Sequence, residues 1–345
     1  MPKLSRGDRC ASVRILEKNA ADTAGQVVSA LEHGVAVVPV LGGYCVLARA
    51  REALRAFDGP YRLVAAETLN AAVAGMEPLR RERVSRVMAG PLIGKLVSGQ
   101  PGMALASGPL AEEIIGRAGG EVWFGLPAES AEPGELADSL GEVVSIVVTG
   151  NLPGPGPTVV DFSARPAVID RRGKLGILDV EQQLGELVRM GPGLFFSVLV
   201  VCTGNSCRSP MAQAMLANML EGTPALVCSA GTDAPVGSPA APNAVEVTRE
   251  AGVDLTRHRA HQVSPAMVEA ADLVLVMEEY HRHRIADLVP DAASRIRLLL
   301  SYAGTDENVA DPLGFSVECY RKTRDEMKPA LERVAAEVGE RVRRF

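Results

Sequence analysis

The sequence predicts an α/β protein of two domains, a mixed twisted sheet followed by a four-stranded parallel α/β sheet. Three observations lead there. The chain has 345 residues, more than one hydrophobic core usually organises. Hydrophobic residues make up 47% of it and aromatics 4%, a balance that fits folded α/β domains and not disorder. From residue 196 onward, apolar β-branched runs alternate with helical patterns, the rhythm of a parallel sheet.

In the first half the rhythm is less regular. Strand candidates are 34–40 (GVAVVPV), 121–126, 142–150, 158–162 and 166–172, with helical stretches near 22–33, 78–88, 110–118 and 179–190. Strands that follow one another without a helix between them imply a mixed sheet. Arg80, Arg81, Arg83 and Arg86 fall in one of these helices and read as a solvated face, a local nucleic-acid patch being the alternative. The glycines and prolines of MGPG (190–193) stand where the pattern restarts, so the domains are expected at 1–190 and 191–345.

In the second half FSVLVVC (196–202) is fit for a strand buried on both faces. Ser209 and Pro210 offer a cap and a first-turn proline for the helix after it, and MAQAMLANML (211–220) is rich in helix formers. ALVCSAG (225–231), LVLVM (273–277) and RIRLLL (295–300) read as further strands, separated by helices near 240–252, 264–271 and 278–288. Residues 317–342 form one long helical pattern expected to pack across the sheet.

Formal net charge is −6, which argues against a non-specific nucleic-acid binder. The opening MPKLSRGDRCASVRILEK lacks the apolar core of a signal peptide, and no apolar run reaches membrane-span length, so the cytoplasm is the expected location and no membrane partner is expected. Six cysteines, at 10, 45, 202, 207, 228 and 319, are few for a secreted disulfide framework and read as reduced thiols, with Cys228 and Cys319 in the core.

The chemistry concentrates in CTGNSCRSP (202–210). A cysteine and an arginine five residues apart bracket a turn from a buried strand into a helix amino terminus. A loop of that length can aim its backbone N–H groups at a tetrahedral phosphate, with the helix dipole adding favourable potential. Gly204 permits the tight turn. Thr203, Gly204, Asn205, Ser206, Cys207 and Ser209 make up the phosphate-binding loop. Arg208 offers a planar fork to two phosphate oxygens. The same donors stabilise the thiolate of Cys202, which can attack phosphorus and form a phosphocysteine intermediate. Ser209 can donate a hydrogen bond to that sulfur. A leaving group must be protonated by an acid, and Asp311, in the loop ADPLGFS after the last strand, is the candidate. No metal site and no cofactor are expected.

These residues resemble the low-molecular-weight protein tyrosine phosphatases. VCTGNSCRSPMAQAML, SAGT (229–232), DLVLVM (272–277) and ADPLGFSVECYRKTRDEM (310–327) follow the family in order over about 196–340. The resemblance implies the roles of Cys202, Arg208 and Asp311 just argued, a phosphorylated protein as substrate, and a network in which Asn205, Ser209, Ser229 and His258 support the loop. It also implies a redox role for Cys207, as partner of the nucleophile in a reversible disulfide. His261, His281 and His283 read as surface. Ser206 and Leu313 replace the aliphatic and the aromatic residue usual in tyrosine-specific members. Ser206 is similar to the threonine of the protein arginine phosphatase branch, which leaves phosphotyrosine and phosphoarginine both open. Arsenate reduction is not expected, since no downstream shuttle pair of cysteines is present.

Residues 10 to about 190 resemble the Sua5/YrdC/YciO family, whose active members make threonylcarbamoyl-adenylate for tRNA modification. The match runs through 34–50, AGPLIGKLV (89–97) and 143–176, and retains Pro39, Tyr44, Pro157, Thr158 and Arg171. Val40 and Gly42 replace the threonines of the opening turn, the Lys-x-Arg pair is absent after 50, and Gly125, Leu126 and Pro127 stand in place of the Ser-x-Asn motif. Phosphate recognition has lost its donors, so a degenerate domain without synthase activity is expected, in a regulatory or binding role that leaves a nucleotide or RNA as possible ligand. Two competing expectations are a bifunctional protein with threonylcarbamoyl-AMP synthase-like or RNA-binding activity, and a non-catalytic phospho-binding module.

Overall fold

The computed structural model describes residues 14–40, 43–127, 136, 140, 144–149 and 156–343. Cys10, Gly42 and both ends of the 142–150 stretch lie outside the described residues. The chain divides into two compact units. One reaches Gly176 and takes in Val180–Leu187; the other comprises Ile177–Asp179 and the chain from Val188.

The first unit contains β1 (Arg14–Glu17), α1 (Thr23–Ala30), β2 (Val35–Val40), β3 (Gly43–Ala48), β4 (Asp58–Val64), α2 (Ala66–Val73), α3 (Pro78–Met88), β5 (Leu92–Lys95), β6 (Met103–Leu105), α4 (Pro109–Ala118), β7 (Val122–Leu126), β8 (Val144–Thr149), β9 (Thr158–Asp161) and β10 (Val168–Arg171). Its strands run in the order β1-β8-β2-β3-β7-β4-β6-β5-β9-β10. The sheet is mixed: β2 and β3 form an antiparallel hairpin, whereas β2 pairs parallel to β8 and β5 parallel to β9. Val38, Leu47, Phe124 and Ile146 of the sheet pack with Val27 of α1 and Ile114 of α4 in one apolar core. Strands β1, β3, β4, β5 and β6 and helix α2 are not legible in the sequence. β4 carries Gly59 and Pro60 directly after its first residue, Asp58, residues that argue against a strand, and β5 and β6 are only four and three residues long, too short to carry a period.

The arginine run on α3 departs from the expected solvated face. Arg80 is buried, and its guanidinium donates to Glu186 at 2.5 Å and to the carbonyls of Phe162 and Ala164. Arg81 and Arg86 are exposed, and Arg86 pairs with Glu82 one turn away. The helical pattern alone could not tell the inward-facing arginine from its neighbours, because what Arg80 meets comes from residues about 80 to 106 positions away.

Helix α5 (Ile177–Leu184) and the short β11 (Arg189–Met190) come between. The second unit then alternates without interruption: β12 (Phe196–Cys202), α6 (Arg208–Met219), β13 (Ala225–Gly231), α7 (Pro242–Glu250), α8 (Pro265–Ala270), β14 (Leu273–Val276), α9 (Glu279–Leu288), β15 (Ile296–Leu298) and α10 (Val317–Val342). Its sheet has four parallel strands in the order β13-β12-β14-β15. β12 is buried along nearly its whole length, as an apolar central strand of a parallel sheet must be. The strand expected over 295–300 is shorter, because the chain turns into a 3₁₀ helix at Leu299. Tyr320, Thr323, Met327, Leu331, Val334 and Val338 form the buried stripe of α10 at helical spacing. Cys228 and Cys319, expected in the core, are exposed: β13 is an edge strand, and Cys319 falls on the outer side of the first turn of α10.

This strand order fixes where a site can form. From β12 the chain passes to β13 on one side and then crosses to β14 on the other. The loops after β12 and β14 therefore diverge, leaving a crevice at the carboxyl ends of the strands. No described helix is long and apolar enough to cross a membrane.

Candidate active site

Cys202 is the last residue of β12, in register with Gly231 at the end of β13. The next residues curl back over it. The amide of Asn205 donates to Cys202 Sγ at 3.3 Å, and Ser209 Oγ lies 2.9 Å from the same sulfur. Ser209 Oγ accepts from Asn205 Nδ2 at 2.9 Å, so its own proton is free to point at the sulfur, the alternative acceptor, Ala230 O, being farther at 3.4 Å. Two donors thus converge on one sulfur.

Asn205 is the hub of the loop. It is fully buried and takes the left-handed conformation, φ 49°. Asparagine tolerates that region because its short amide can bond locally. Its Nδ2 reaches Ser209 and Ser229, its Oδ1 accepts the amide of His261, and its carbonyl accepts from His258 at 2.8 Å. A carbonyl only accepts, so the His258 proton sits on Nε2. Burial is the first cause holding His258 below the ordinary imidazole value. Ser229 in turn donates to Gln213 on α6 at 2.5 Å.

Two sequence expectations are corrected here. The left-handed turn falls on Asn205 and not on Gly204, where an added Cβ would meet nothing closer than Ser206 Oγ at 3.5 Å. The glycine the loop requires is Gly231, where a Cβ would lie 2.3 Å from Thr203 O and 2.9 Å from Asn205 N. Ser209 is not the helix cap. Helix α6 begins at Arg208 with Cys207 before it and no side-chain cap, which leaves its first N–H groups for the loop and its ligand.

Arg208 is buried at 2% exposure. One guanidinium nitrogen donates to Glu278 Oε1 at 2.5 Å and to the carbonyl of Val309 at 2.9 Å, the other to Asp311 Oδ2 at 2.5 Å. Its Nε is buried and has no acceptor among the described residues. Asp311 stays 42% exposed, and its second oxygen accepts the amide of Leu313. The loop is tied to its surroundings by three backbone bonds, Thr232 N to Cys202 O, Asp233 N to Thr203 O and Ala241 N to Ser206 O.

Several residues around the loop were not foreseen. His281, expected on the surface, is fully buried with Nε2 2.9 Å from Thr203 Oγ1, because the first turn of α9 faces the loop. Glu278 directly follows the LVLVM stretch, and a carboxylate at the carboxyl end of a parallel strand is the signal that marks it. Tyr320 reaches Cys207 Sγ with its hydroxyl at 3.2 Å from an element 113 residues later in the chain. No group of three or more His, Cys, Asp or Glu fit to hold a metal ion occurs among the described residues.

Residues 197–344 match the family model described as low molecular weight phosphotyrosine protein phosphatase. A protein-arginine-phosphatase of Geobacillus stearothermophilus is 39% identical over 142 residues, which are 41% of this chain and 94% of that one. The chain belongs to the low molecular weight phosphotyrosine protein phosphatase family. It is a hydrolase. The phosphatase is also similar to a probable low molecular weight protein-tyrosine-phosphatase, EpsP, of Ralstonia nicotianae, 41% identical over 40% of this chain and 88% of the relative. The solved YwlE arginine phosphatase of Geobacillus stearothermophilus is 38% identical, with a TM-score of 0.40, over 42% of this chain and 94% of that one.

Proposed function

We propose that the second domain, 191–345, hydrolyses phosphoarginine in proteins, with phosphotyrosine as the competing substrate. Cys202 Sγ attacks phosphorus and takes the phosphoryl group as phosphocysteine, while Asp311 delivers a proton to the leaving atom. Water, activated by the same carboxylate, then releases phosphate and restores the thiolate. Arg208 and the loop amides hold the equatorial oxygens, with Asn205, Ser209, Ser229 and His258 as the loop's support.

The observation that carries the choice of substrate is the set of carboxylates at the loop. Glu278 and Asp311 both contact Arg208, and Asp233 follows the loop-facing Thr232. Acidic side chains suit a cationic guanidinium leaving group better than a neutral phenol. Ser206, a small hydroxyl residue, and Leu313, 60% exposed, build no flat apolar slot for a phenyl ring. The purified full chain is expected to release phosphate from a phosphoarginine protein with kcat/KM at least about tenfold above that for a phosphotyrosine peptide, the net worth of about one hydrogen bond. Equal or reversed values favour the tyrosine reading. Cys202→Ser is expected to abolish turnover on both, and undiminished turnover in that variant rules out the phosphatase.

For the first domain, 1–190, we infer a Sua5/YrdC-like ancestry without synthase activity, leaving a regulatory or binding role. Two of its cations are already engaged: Lys95 pairs with Asp170 at 2.6 Å, and Arg171 with Asp58 at 2.9 Å and with Pro127 O. Thr158 Oγ1 is used internally, by both the amide and the carbonyl of Leu175. Threonine- and bicarbonate-dependent pyrophosphate release from ATP is expected to be absent, and its presence supports the bifunctional alternative.

A further inference from the structure

His281 is a buried imidazole that none of the catalytic steps above uses. It lies on α9, among exposed Arg282, His283 and Arg284, yet has no exposure itself. Nε2 is 2.9 Å from Thr203 Oγ1 and 3.9 Å from Glu278 Oε1, the oxygen that also holds Arg208. Nδ1 is buried and has no partner among the described residues.

These distances decide the tautomer. Burial, with Arg208 reinforcing it and Glu278 opposing it, holds His281 below the ordinary imidazole value, so the ring carries one proton at neutral pH. On Nδ1 that proton would be a buried donor without an acceptor, and the Nε2 lone pair would face the Glu278 carboxylate. On Nε2 it meets Thr203 Oγ1 and faces a negative charge, and the atom left unpartnered is a lone pair, the cheaper of the two. Thr203 Oγ1 is then an acceptor toward His281, and the hydroxyl's own proton is turned away from the ring.

Thr203 follows the nucleophile directly, so where that proton points matters for the reaction. We propose that His281 is a positioning residue of the phosphatase: its Nε2–H fixes the Thr203 hydroxyl so that the hydroxyl proton is offered to the phosphoryl group bound in the loop. The hydroxyl thereby adds one side-chain donor to the backbone amides and Arg208. His281 contributes only through Thr203, without touching the substrate.

The test is a double-substitution cycle in the full chain, read on p-nitrophenyl phosphate turnover and, independently, on the binding of inorganic phosphate. Thr203→Val and His281→Leu are each expected to lower kcat/KM and to weaken phosphate binding by about tenfold, the effect of one hydrogen bond. Thr203→Ser and His281→Gln, which keep a donor, should recover most of the loss. The double variant should be no worse than Thr203→Val alone. Losses that multiply, or Thr203→Val at the wild-type values, overturn the proposal. If His281→Leu does not fold, His281→Phe, which fills the site without a donor, takes its place in the cycle. An inactive wild type would count against the phosphatase reading instead, with phosphate binding still deciding the role of His281.

Discussion

Arg208 and Asp311 are joined through Nη2 and Oδ2 at 2.5 Å, so the arginine proposed to bind phosphate also holds the candidate acid. The same guanidinium carries Glu278 and the carbonyl of Val309. A planar fork reaches all three groups at once, and an ammonium does not. Arg208→Lys is therefore expected to lower kcat/KM by about 10² to 10³, the cost of losing a directed transition-state donor. Steady-state assay with a thermal melt separates this from unfolding, and a variant within about twofold of wild type contradicts the assignment.

Gly231 gives a stability prediction that Gly204 does not. A methyl there meets the Thr203 carbonyl and the Asn205 amide, both of them backbone, so the loop itself must shift. Gly231→Ala is expected to cost about 1–3 kcal/mol and to weaken phosphate binding, measured by denaturant unfolding and by the thermal protection that phosphate confers. Gly204→Ala, with its nearest foreign atom at 3.5 Å, should be much milder.

Cys207 sits 3.2 Å from the Tyr320 hydroxyl and 3.6 Å from Ser206 Oγ, and burial pushes its thiol up. A protonated thiol attacks an oxidised sulfur slowly. After brief peroxide treatment the wild type is expected to regain activity with dithiothreitol, and Cys207→Ser to regain less. Because the Cys207 thiol ionises late, protection should grow as the pH rises above neutral. Equal recovery by the two proteins at every pH would remove the redox role.

The pH dependence of stability follows from His258 and His281, both held below the ordinary value of 6.5. Their folded values lie below their unfolded ones, so the native state takes up its protons later as the pH falls. The stabilisation is complete above the unfolded value and is lost as the pH drops from there through the folded values. Denaturant midpoints are expected to decline as pH falls below about 6.5, and less steeply in His258→Gln. An identical slope in that variant would show that His258 does not titrate with unfolding.

How much of this was legible depends on how far a residue's partners lie in the chain. β12, β13 and α10 have the bounds their apolar patterns predict, since period and burial are local properties written into each segment. The first unit was read less completely. Its short strands β5 and β6 exist only because neighbours across the sheet hydrogen-bond to them, and no local pattern encodes that.

The motif from Cys202 to Ser209 was sufficient by itself to place a tight loop between a buried strand and a helix amino terminus, because backbone donors at a helix amino terminus follow from chain geometry and residue spacing alone. Which residue bears the left-handed turn, which glycine is indispensable, and which histidines enter the site were decided by tertiary structure. Each depends on an approach from another element: Gly231 from β13, His258 from the loop before α8, His281 from α9 and Tyr320 from α10. Steric exclusion and hydrogen-bond satisfaction act between atoms in space, and only the folded sheet brings those atoms to the loop.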